Sequence, residues 1–290
     1  MLLKKFKIFF LILILGFIFS VLVFWGYQKF LIVSPVPDGN LRIVFLNVGQ
    51  GDATLIQTKE KNILLDGGPD KSLIFKMDEF FPFYQRKIDL IIVSHFDSDH
   101  FIGLVEILER YRIKKIITNG LDDNTSVGEK WRALIETNRI EVQEISQSIK
   151  MDLNNNFSLD FIWPQPGNFK KLKSDDNSSS LVIKLNYGQK NFLFMGDAPK
   201  QVEQELITKE IDLKSDILKI GHHGSKYSTG LDFLKLVSPE YGIISCGKNN
   251  FGHPSLRVLK NLKTAQVKIL RTDEKGDIIF LTDGENLILK

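Results

Sequence analysis

The sequence predicts an α/β domain of two mixed β-sheets packed face to face with helices outside, carried behind one N-terminal transmembrane helix. Three observations predict it. An unbroken uncharged stretch runs from Ile8 to Tyr27. From Leu41 onward, short β-rich runs alternate with turn signals and amphipathic stretches. The first of these runs pair as neighbours and the later ones alternate with helices, which suits two packed sheets better than a parallel barrel.

The N-terminal element comes first. Lys4, Lys5 and Lys7 precede the apolar stretch, which is dominated by Ile, Leu, Phe and Val. As a helix, Ile8 to Trp25 spans about 27 Å, close to the hydrocarbon thickness of a bilayer. Trp25 and Tyr27 fall where an interfacial aromatic belt lies. The lysines hold the N-terminus in the cytoplasm, so the chain after Lys29 lies outside it, as a single-pass protein of the cell membrane. The rival is a cleaved signal peptide, but small-x-small cleavage signals are absent and the run is longer than most such cores. Residues 1–32 are therefore read as an anchor. Residues 33–40, with VSPVPDGN, read as a linker, and residues 41–290 as one domain.

Within that domain the expected strands are Arg42–Val48, Ala53–Thr58, Asn62–Asp66, Leu90–Ser94, Lys115–Thr118, Ser158–Ile162, Leu181–Leu185, Phe192–Met195, Ile217–Ile220, Gly242–Ser245, Lys268–Arg271 and Asp277–Leu281. The expected helices are Gly103–Glu109, Glu129–Thr137, Gln201–Thr208, Gly230–Leu236 and Ser255–Lys263. The polar run Lys170–Ser180 reads as a surface loop. No repeat at a solenoid period is present.

Composition limits the chemistry. A net charge of +3, with lysines and acids mixed along the chain, does not by itself predict nucleic-acid binding. Lys114–Lys115 and Lys170–Lys173 read as solvated charge, and no strong basic-aromatic groove signature for single strands is present. The single cysteine, Cys246, excludes an internal disulfide and a cysteine-built zinc site, and reads as a small core residue. A metal site here needs His and carboxylate ligands. All 5 histidines fall in three short segments: His95 and His100 in SHFDSDH, His222 and His223 in IGHHGS, and His253 in FGHP. Imidazole is the commonest metal ligand, so this placement predicts one metal site.

Each segment supplies part of it. In LIIVSHFDSDHFIGL an apolar strand runs into His95, Asp97, Asp99 and His100 before a helix begins at Gly103. His95 and Asp97 can share one side of the turn, while Asp99 and His100 point elsewhere, which is enough for two ions. A helix cap by Ser98 or Asp99 accounts for one residue, not four. Asp197 ends the apolar run FLFMG ahead of a helix, and by itself reads as a cap. His222 and His223 follow a strand. Adjacent side chains on an extended segment diverge, so one binds metal and the other faces substrate or supports a ligand; which does which stays open. Ser225 and Lys226 can hydrogen-bond a phosphate. His253 stands at a helix start, where an anion is favoured. Asp66, with Gly67 and Gly68, reads as a turn, and Gly49, Gly51 and Asp52 as hairpin geometry rather than chemistry.

Taken together, the motifs resemble a known family. His95-x-Asp97-x-Asp99-His100 resembles the HxHxDH signature of the metallo-β-lactamase fold, with Asp at the second His position. LNVGQGDATLIQT with ILLDGG, NFLFMGD and ILKIGHHGS resemble further segments of that family in order. The forms VGQGD, DxDH, MGD, HHGS and GHP together resemble the metallo-β-lactamase domain of ComEC-type DNA-internalisation competence proteins, over residues 41–284. The resemblance implies an αββα sandwich and a site for two divalent ions, zinc or manganese. It implies His95, Asp97, Asp99, His100 and Asp197 as ligands, joined by His222 or His223. Asp197 would bridge the two ions, and Asp66 would orient a ligating histidine. No histidine lies between His100 and His222, where many members supply one; Asn177–Ser180 occupies that stretch, and Asn177 and Ser225 become substrate contacts. The carboxylate-rich donor set favours manganese over zinc.

The implied reaction is metal-assisted hydrolysis of a phosphodiester, with single-stranded DNA outside the cell as substrate. Asp99, His222 and His253 are its candidate catalytic groups; His253, or the histidine that is not a ligand, protonates the leaving oxygen. One membrane span cannot conduct DNA, so a separate competence channel is the expected partner. The alternatives are a hydrolase of choline-phosphate or teichoic-acid linkages in the envelope, and a non-catalytic metal- or DNA-binding domain. β-Lactam hydrolysis fits the HHGS form less well.

Overall fold

The computed structural model describes residues 2–32, 36–81, 86–154, 156–166 and 177–290, with the side chains of the first helix described from 6 to 24. Helix α1 (Leu2–Ile32) holds a 19-residue window, Phe6–Phe24, of mean hydropathy 2.8, none of which is buried. It is long and apolar enough to cross a membrane.

Strands β1 (Leu41–Phe45), β2 (Thr54–Gln57) and β3 (Asn62–Leu65) form an antiparallel meander. Helix α2 (Ser72–Phe80) and the short β4 (Lys87–Ile88) lead to β5 (Leu90–Ile92) and α3 (Ser98–Arg110). The short β6 (Arg112–Ile113), β7 (Lys115–Thr118), α4 (Ser126–Asn138) and β8 (Glu141–Glu144) follow. The chain then builds a second sheet from β9 (Ile149–Asn154), β10 (Phe157–Trp163), β11 (Val182–Tyr187) and β12 (Lys190–Phe194). Helix α5 (Lys200–Thr208), β13 (Ile217–Lys219), α6 (Leu231–Val237), β14 (Tyr241–Ile244), α7 (Leu256–Thr264) and β15 (Lys268–Arg271) complete that half. After the short α8 (Thr272–Lys275), β16 (Ile278–Thr282) and β17 (Leu287–Leu289) return to the first sheet, whose order is β17-β16-β1-β2-β3-β5-β7-β8. The second sheet runs β15-β14-β13-β12-β11-β10-β9.

The central strands are buried on both faces, and the two-residue period sorts their side chains into layers. In β1, Ile43 and Phe45 enter the core between the sheets while Val44 faces the helices. In β12, Phe192 and Phe194 enter that same core while Leu193 faces the other way. The first sheet's outer core is closed by Leu73 and Met77 of α2, Leu104 and Ile107 of α3 and Trp131 of α4. The second sheet's is closed by Val202 of α5, Phe233 of α6 and Leu262 of α7. The result is the expected four-layer αββα arrangement.

Topology then decides where chemistry can sit. Strands β3, β5, β7 and β8 run parallel to one another, and β1 shares their direction because two antiparallel steps separate it from β3. In the second sheet β12, β13, β14 and β15 are parallel. The loops at the carboxyl ends of these strands carry Asp52, Asp66, His95 to His100, Asp197, His222 and His223.

Two expectations need correction. The helix expected from Gly103 begins at Ser98, because Asp97 is extended and the chain turns helical directly after it. Ser98 and Asp99, the alternative capping residues, lie inside the first turn, and the N-cap, Asp97, makes no side-chain cap hydrogen bond. His222 and His223 are not on an extended segment: both are left-handed, with φ of 49° and 52°. Residues 170–176 of the expected surface loop, and 33–35 of the linker, lie outside the described residues.

The turn after β3 is fixed to α3 at Gly103, whose N–H donates to Gly68 O at 3.1 Å. A Cβ at Gly103 would stand 2.0 Å from Gly67 O, a collision of backbone with backbone. Gly103→Ala should therefore destabilise the domain by roughly 1–3 kcal/mol, read as a lower denaturant midpoint at unchanged slope.

Candidate metal centre

Asp66 follows β3, left-handed at φ 58°, and its carboxylate is buried. Its Oδ1 accepts from Ser94 N at 2.7 Å, and its Oδ2 accepts from Ser94 Oγ at 2.7 Å and from His100 Nδ1 at 2.9 Å. A carboxylate at this distance only accepts, so His100 carries its proton on Nδ1. With its own hydrogen committed to Asp66, Ser94 Oγ must accept from His95 Nδ1, 3.0 Å away. One aspartate thus sets the tautomers of two histidines, directly and through a serine. His223 is set independently. Its Nδ1 lies 2.9 Å from Ser245 O, which can only accept, and 3.2 Å from Asp52 Oδ1. Asp52 in turn pairs with Lys219 Nζ at 2.6 Å, both groups buried.

Each of these rings therefore points a bare Nε2 inward. His100 Nε2 and His223 Nε2 are 3.3 Å apart. Asp197 Oδ1 lies 3.1 Å from the first and 3.7 Å from the second, and Asp99 Oδ2 lies 3.1 Å from His223 Nε2. Three lone-pair donors, His100 Nε2, His223 Nε2 and Asp197 Oδ1, converge with no hydrogen among them; Asp52 completes a grouping of four with these residues, and Asp99 stands beside His223. Donors bonded at ~2.1 Å around a tetrahedral ion stand roughly 3.4 Å apart, so the spacing fits one cation. A second set lies beside it. His95 Nε2 is buried without a hydrogen-bond partner, 3.5 Å from Asp97 Oδ2 and 4.0 Å from Asp197 Oδ2. Asp197 turns one oxygen to each set, and its own N–H is held by Ser180 Oγ at 3.1 Å.

Without a cation, protons take its place. Burial disfavours a charged His100, but Asp197 and Asp66 outweigh it and raise its pKa well above the usual histidine value. Burial is likewise overcome at His223 by Asp197 and Asp52, which lift it to about 10. Burial alone would raise Asp197, yet His100 and His223 hold it well below the carboxylate range. Asp52 is depressed too, with Lys219 and His223 overcoming its desolvation.

The remaining predicted residues sit at the rim. His222 Nε2 is 3.6 Å from Asp197 Oδ2 and its Nδ1 is 3.5 Å from Asn177 Nδ2. It falls outside the grouping of His95, Asp97 and Asp197. His253 stacks edge-on to His222 at 5.2 Å, and Asn249 fixes its backbone by accepting from His253 N at 3.1 Å and donating to its carbonyl at 2.7 Å. Burial lowers the pKa of both histidines, aided at His253 by His222, so both are neutral at pH 7. Ser225 is buried, its hydroxyl accepting from Tyr227 N at 3.3 Å within its own loop.

The sequence reading missed Asp52, Lys219, Ser94 and Asn249. Asp52 was assigned to hairpin geometry; its oxygens instead face His223 Nδ1 and Lys219, which makes it an orienting group beside the donor set. A lysine inside the apolar run ILKIG was the one available signal, because a buried charge on a central strand needs a partner.

A four-layer αββα fold with these donor sets at its strand ends defines a metallo-hydrolase fold. The model of the metallo-beta-lactamase superfamily matches residues 46–248, and the chain belongs to that superfamily. It is 28% identical over 270 residues to ComE operon protein 3 of Bacillus subtilis (strain 168), covering 86% of this chain and 34% of that protein. It is 31% identical over 244 residues to Recombination protein 2 of Haemophilus influenzae, covering 80% and 28%. The chain thus spans about a third of the length of the curated relatives it matches. Among solved structures it is similar in fold to the metallo-beta-lactamase fold protein YhfI from Bacillus subtilis, with a TM-score of 0.58 and 12% identity over 84% of this chain and 100% of that one. Igni18, a metallo hydrolase from Ignicoccus hospitalis, aligns with a TM-score of 0.55 and 16% identity over 83% and 98%.

Two outcomes follow. Histidines with raised pKa stabilise the metal-free fold fully below pH ~6.5, and that stability is lost as pH rises, through about 10 for His223. Metal must displace those protons. Titration of zinc or manganese at pH 7 should therefore release protons, seen as a buffer-dependent heat of binding, and affinity should tighten as pH rises. Asp66→Ala frees both His95 and His100 to turn, and should weaken metal binding by about 10–100-fold, measured by competition with a chelator.

Proposed function

We propose that this protein is a binuclear metal-dependent phosphodiesterase that cleaves DNA outside the cytoplasm. On this reading α1 is a single-pass anchor, residues 33–40 are its linker, and residues 41–290 are the catalytic domain. The observation that carries it is Asp197, a single buried carboxylate offering one oxygen to each of two donor sets. The similarity to competence proteins supports DNA as substrate, with a separate channel as partner.

His95, Asp97 and Asp197 would hold one ion and Asp99, His100, Asp197 and His223 the other, with manganese favoured over zinc by the three aspartates. When bound, such ions supply Lewis acidity and draw the pKa of water toward neutrality. The chain's own groups do the rest. Asp66 and Asp52 keep the imidazole lone pairs aimed inward. Asp99, partly exposed where Asp197 is buried, takes up the proton lost by the attacking water. His222 and Asn177 face the opening and position the phosphate. A neutral His253 donates a hydrogen bond to the leaving oxygen.

The rim suits a single strand. Tyr227 and Phe251 are 62% and 74% exposed, on two loops joined where Ser255 N donates to Gly224 O at 2.9 Å. Lys226 Nζ lies 5.0 Å from the Tyr227 ring. Bases stack on exposed aromatics and phosphates pair with adjacent cations. The linear sequence shows no such signature because the two rings come from different loops.

In the full chain loaded with manganese, Asp197→Asn should lower cleavage of bis-p-nitrophenyl phosphate and single-stranded DNA by at least about 10²–10³-fold, with circular dichroism unchanged. Undiminished turnover would exclude the shared-carboxylate mechanism. Cleavage of the small diester but not DNA would move the substrate to an envelope phosphodiester. Metal binding without any cleavage would mark a non-catalytic domain.

A further inference from the structure

A second charged cavity lies far from the metal centre. Lys87, Arg112, Lys114 and Arg139 line it together with Tyr111, around a volume of about 530 Å³. The β4–β6 ladder sets Lys87 directly opposite Arg112. Arg139 is presented by the left-handed end of α4, at φ 52°. Lys87 pairs with Asp89 at 2.6 Å, but Arg112, Lys114 and Arg139 make no ion pair with any described carboxylate. The Tyr111 hydroxyl is buried without a hydrogen-bond partner, its ring fixed by the edge of Phe81 at 5.6 Å. Burial, with Asp78 nearby, pushes its pKa up to about 12, so it remains a donor. Three cations without an ion pair, and a buried hydroxyl without a hydrogen bond, among the described residues make an anion site, and their spread across separate elements suits the oxygens of a phosphate.

Its place in the fold identifies the source of that phosphate. The cavity sits at the amino ends of β5 and β7, whereas the metal centre sits at their carboxyl ends. Helix α3 separates the two, and its rise from His100 to Tyr111 is about 16 Å. Strand β1 runs in the same direction as β5 and β7, so the chain arrives from α1 at the cavity's end of the sandwich. From Ile32, at the end of α1, to Val36, buried in the domain, the chain can reach at most about 14 Å. With about 8 Å of helix between Tyr27 and Ile32, this end of the domain stays within roughly two to three Debye lengths of the bilayer surface.

We infer that the Arg112–Lys114–Arg139 cavity binds the phosphate of anionic phospholipid headgroups, so that the domain stands on the bilayer with its metal centre turned away from the membrane. The inference rests on reading α1 as a membrane anchor. A nucleic-acid backbone offers the same phosphate chemistry, but it would have to enter between the domain and the membrane, on the side opposite the reacting groups.

The test uses the full chain in lipid nanodiscs containing a fluorescent headgroup acceptor. Donor dyes are placed through Thr137→Cys near the cavity or Asn250→Cys near the metal centre; the native Cys246 is buried. Energy transfer should be high from 137 and low from 250 in discs containing anionic lipid. The signal from 137 should fall in discs of neutral lipid alone, at high salt, and in Arg112→Glu/Arg139→Glu. Inorganic phosphate and a short single-stranded oligonucleotide should leave it unchanged. Equal transfer from both positions, or transfer indifferent to anionic lipid, overturns the inference while co-elution with the disc leaves the anchor reading intact. Loss of the signal from 137 on adding the oligonucleotide overturns it in favour of a nucleic-acid site. A chain that fails to co-elute with discs overturns both.

Discussion

Two buried imidazole lone pairs 3.3 Å apart repel unless something positive lies between them, and the rest of the site follows from that constraint. The lone pairs of His100 and His223 face each other only because both Nδ1 atoms are held elsewhere, by Asp66 and by Ser245 O with Asp52. Freed of those partners, the rings would turn and the repulsion would vanish. The fold thus maintains an arrangement that is unfavourable when empty and favourable around a cation. The carboxylates around the two rings draw protons to them, so the histidine pKa values rise while those of the facing aspartates fall.

The sandwich is what brings these groups together. The first sheet supplies Asp52, Asp66 and the His95–His100 loop, and the second supplies Asp197, His222 and His223. Neither sheet holds a complete donor set. Between them lies a core of large side chains, including Phe45, Phe161, Phe192, Phe194 and Phe280. That core fixes the separation and angle of the sheets, so ångström-scale distances at the carboxyl ends depend on packing well inside the domain. The Lys219–Asp52 pair adds a direct link, reaching from the second sheet to the loop after β1. A buried charge pair is a weak source of net stability, and its placement behind His223 accounts for it better as an orienting device.

Much of this was legible in the sequence because ligands at strand ends announce themselves: an apolar run stops, and histidine and aspartate begin. The SHFDSDH, MGD and HHGS segments are all of that kind. The unreadable parts have physical reasons. Asp52 looked like a turn residue because its partners, Lys219 and His223, are distant in the chain. The choice between His222 and His223 could not be made because left-handed backbone at both positions overrides the alternation of an extended segment. Strands β8 and β17 are sheet edges, short and turned to solvent, so EVQE carries no apolar alternation to read; β9, also an edge, alternates strictly in IKMDLN, and that signal was there to be used. The start of α3 was placed late because its first turn is spent on polar site residues.

The central claim is that one carboxylate, Asp197, joins two metal positions. Electron paramagnetic resonance of the manganese-loaded full chain tests it most directly. Two ions sharing Asp197 lie close enough, roughly 3.5–4 Å apart in sites of this type, to be magnetically coupled. The account predicts a coupled-pair spectrum at two equivalents of manganese. An uncoupled signal of isolated ions at saturating metal, or saturation at one equivalent, would contradict it.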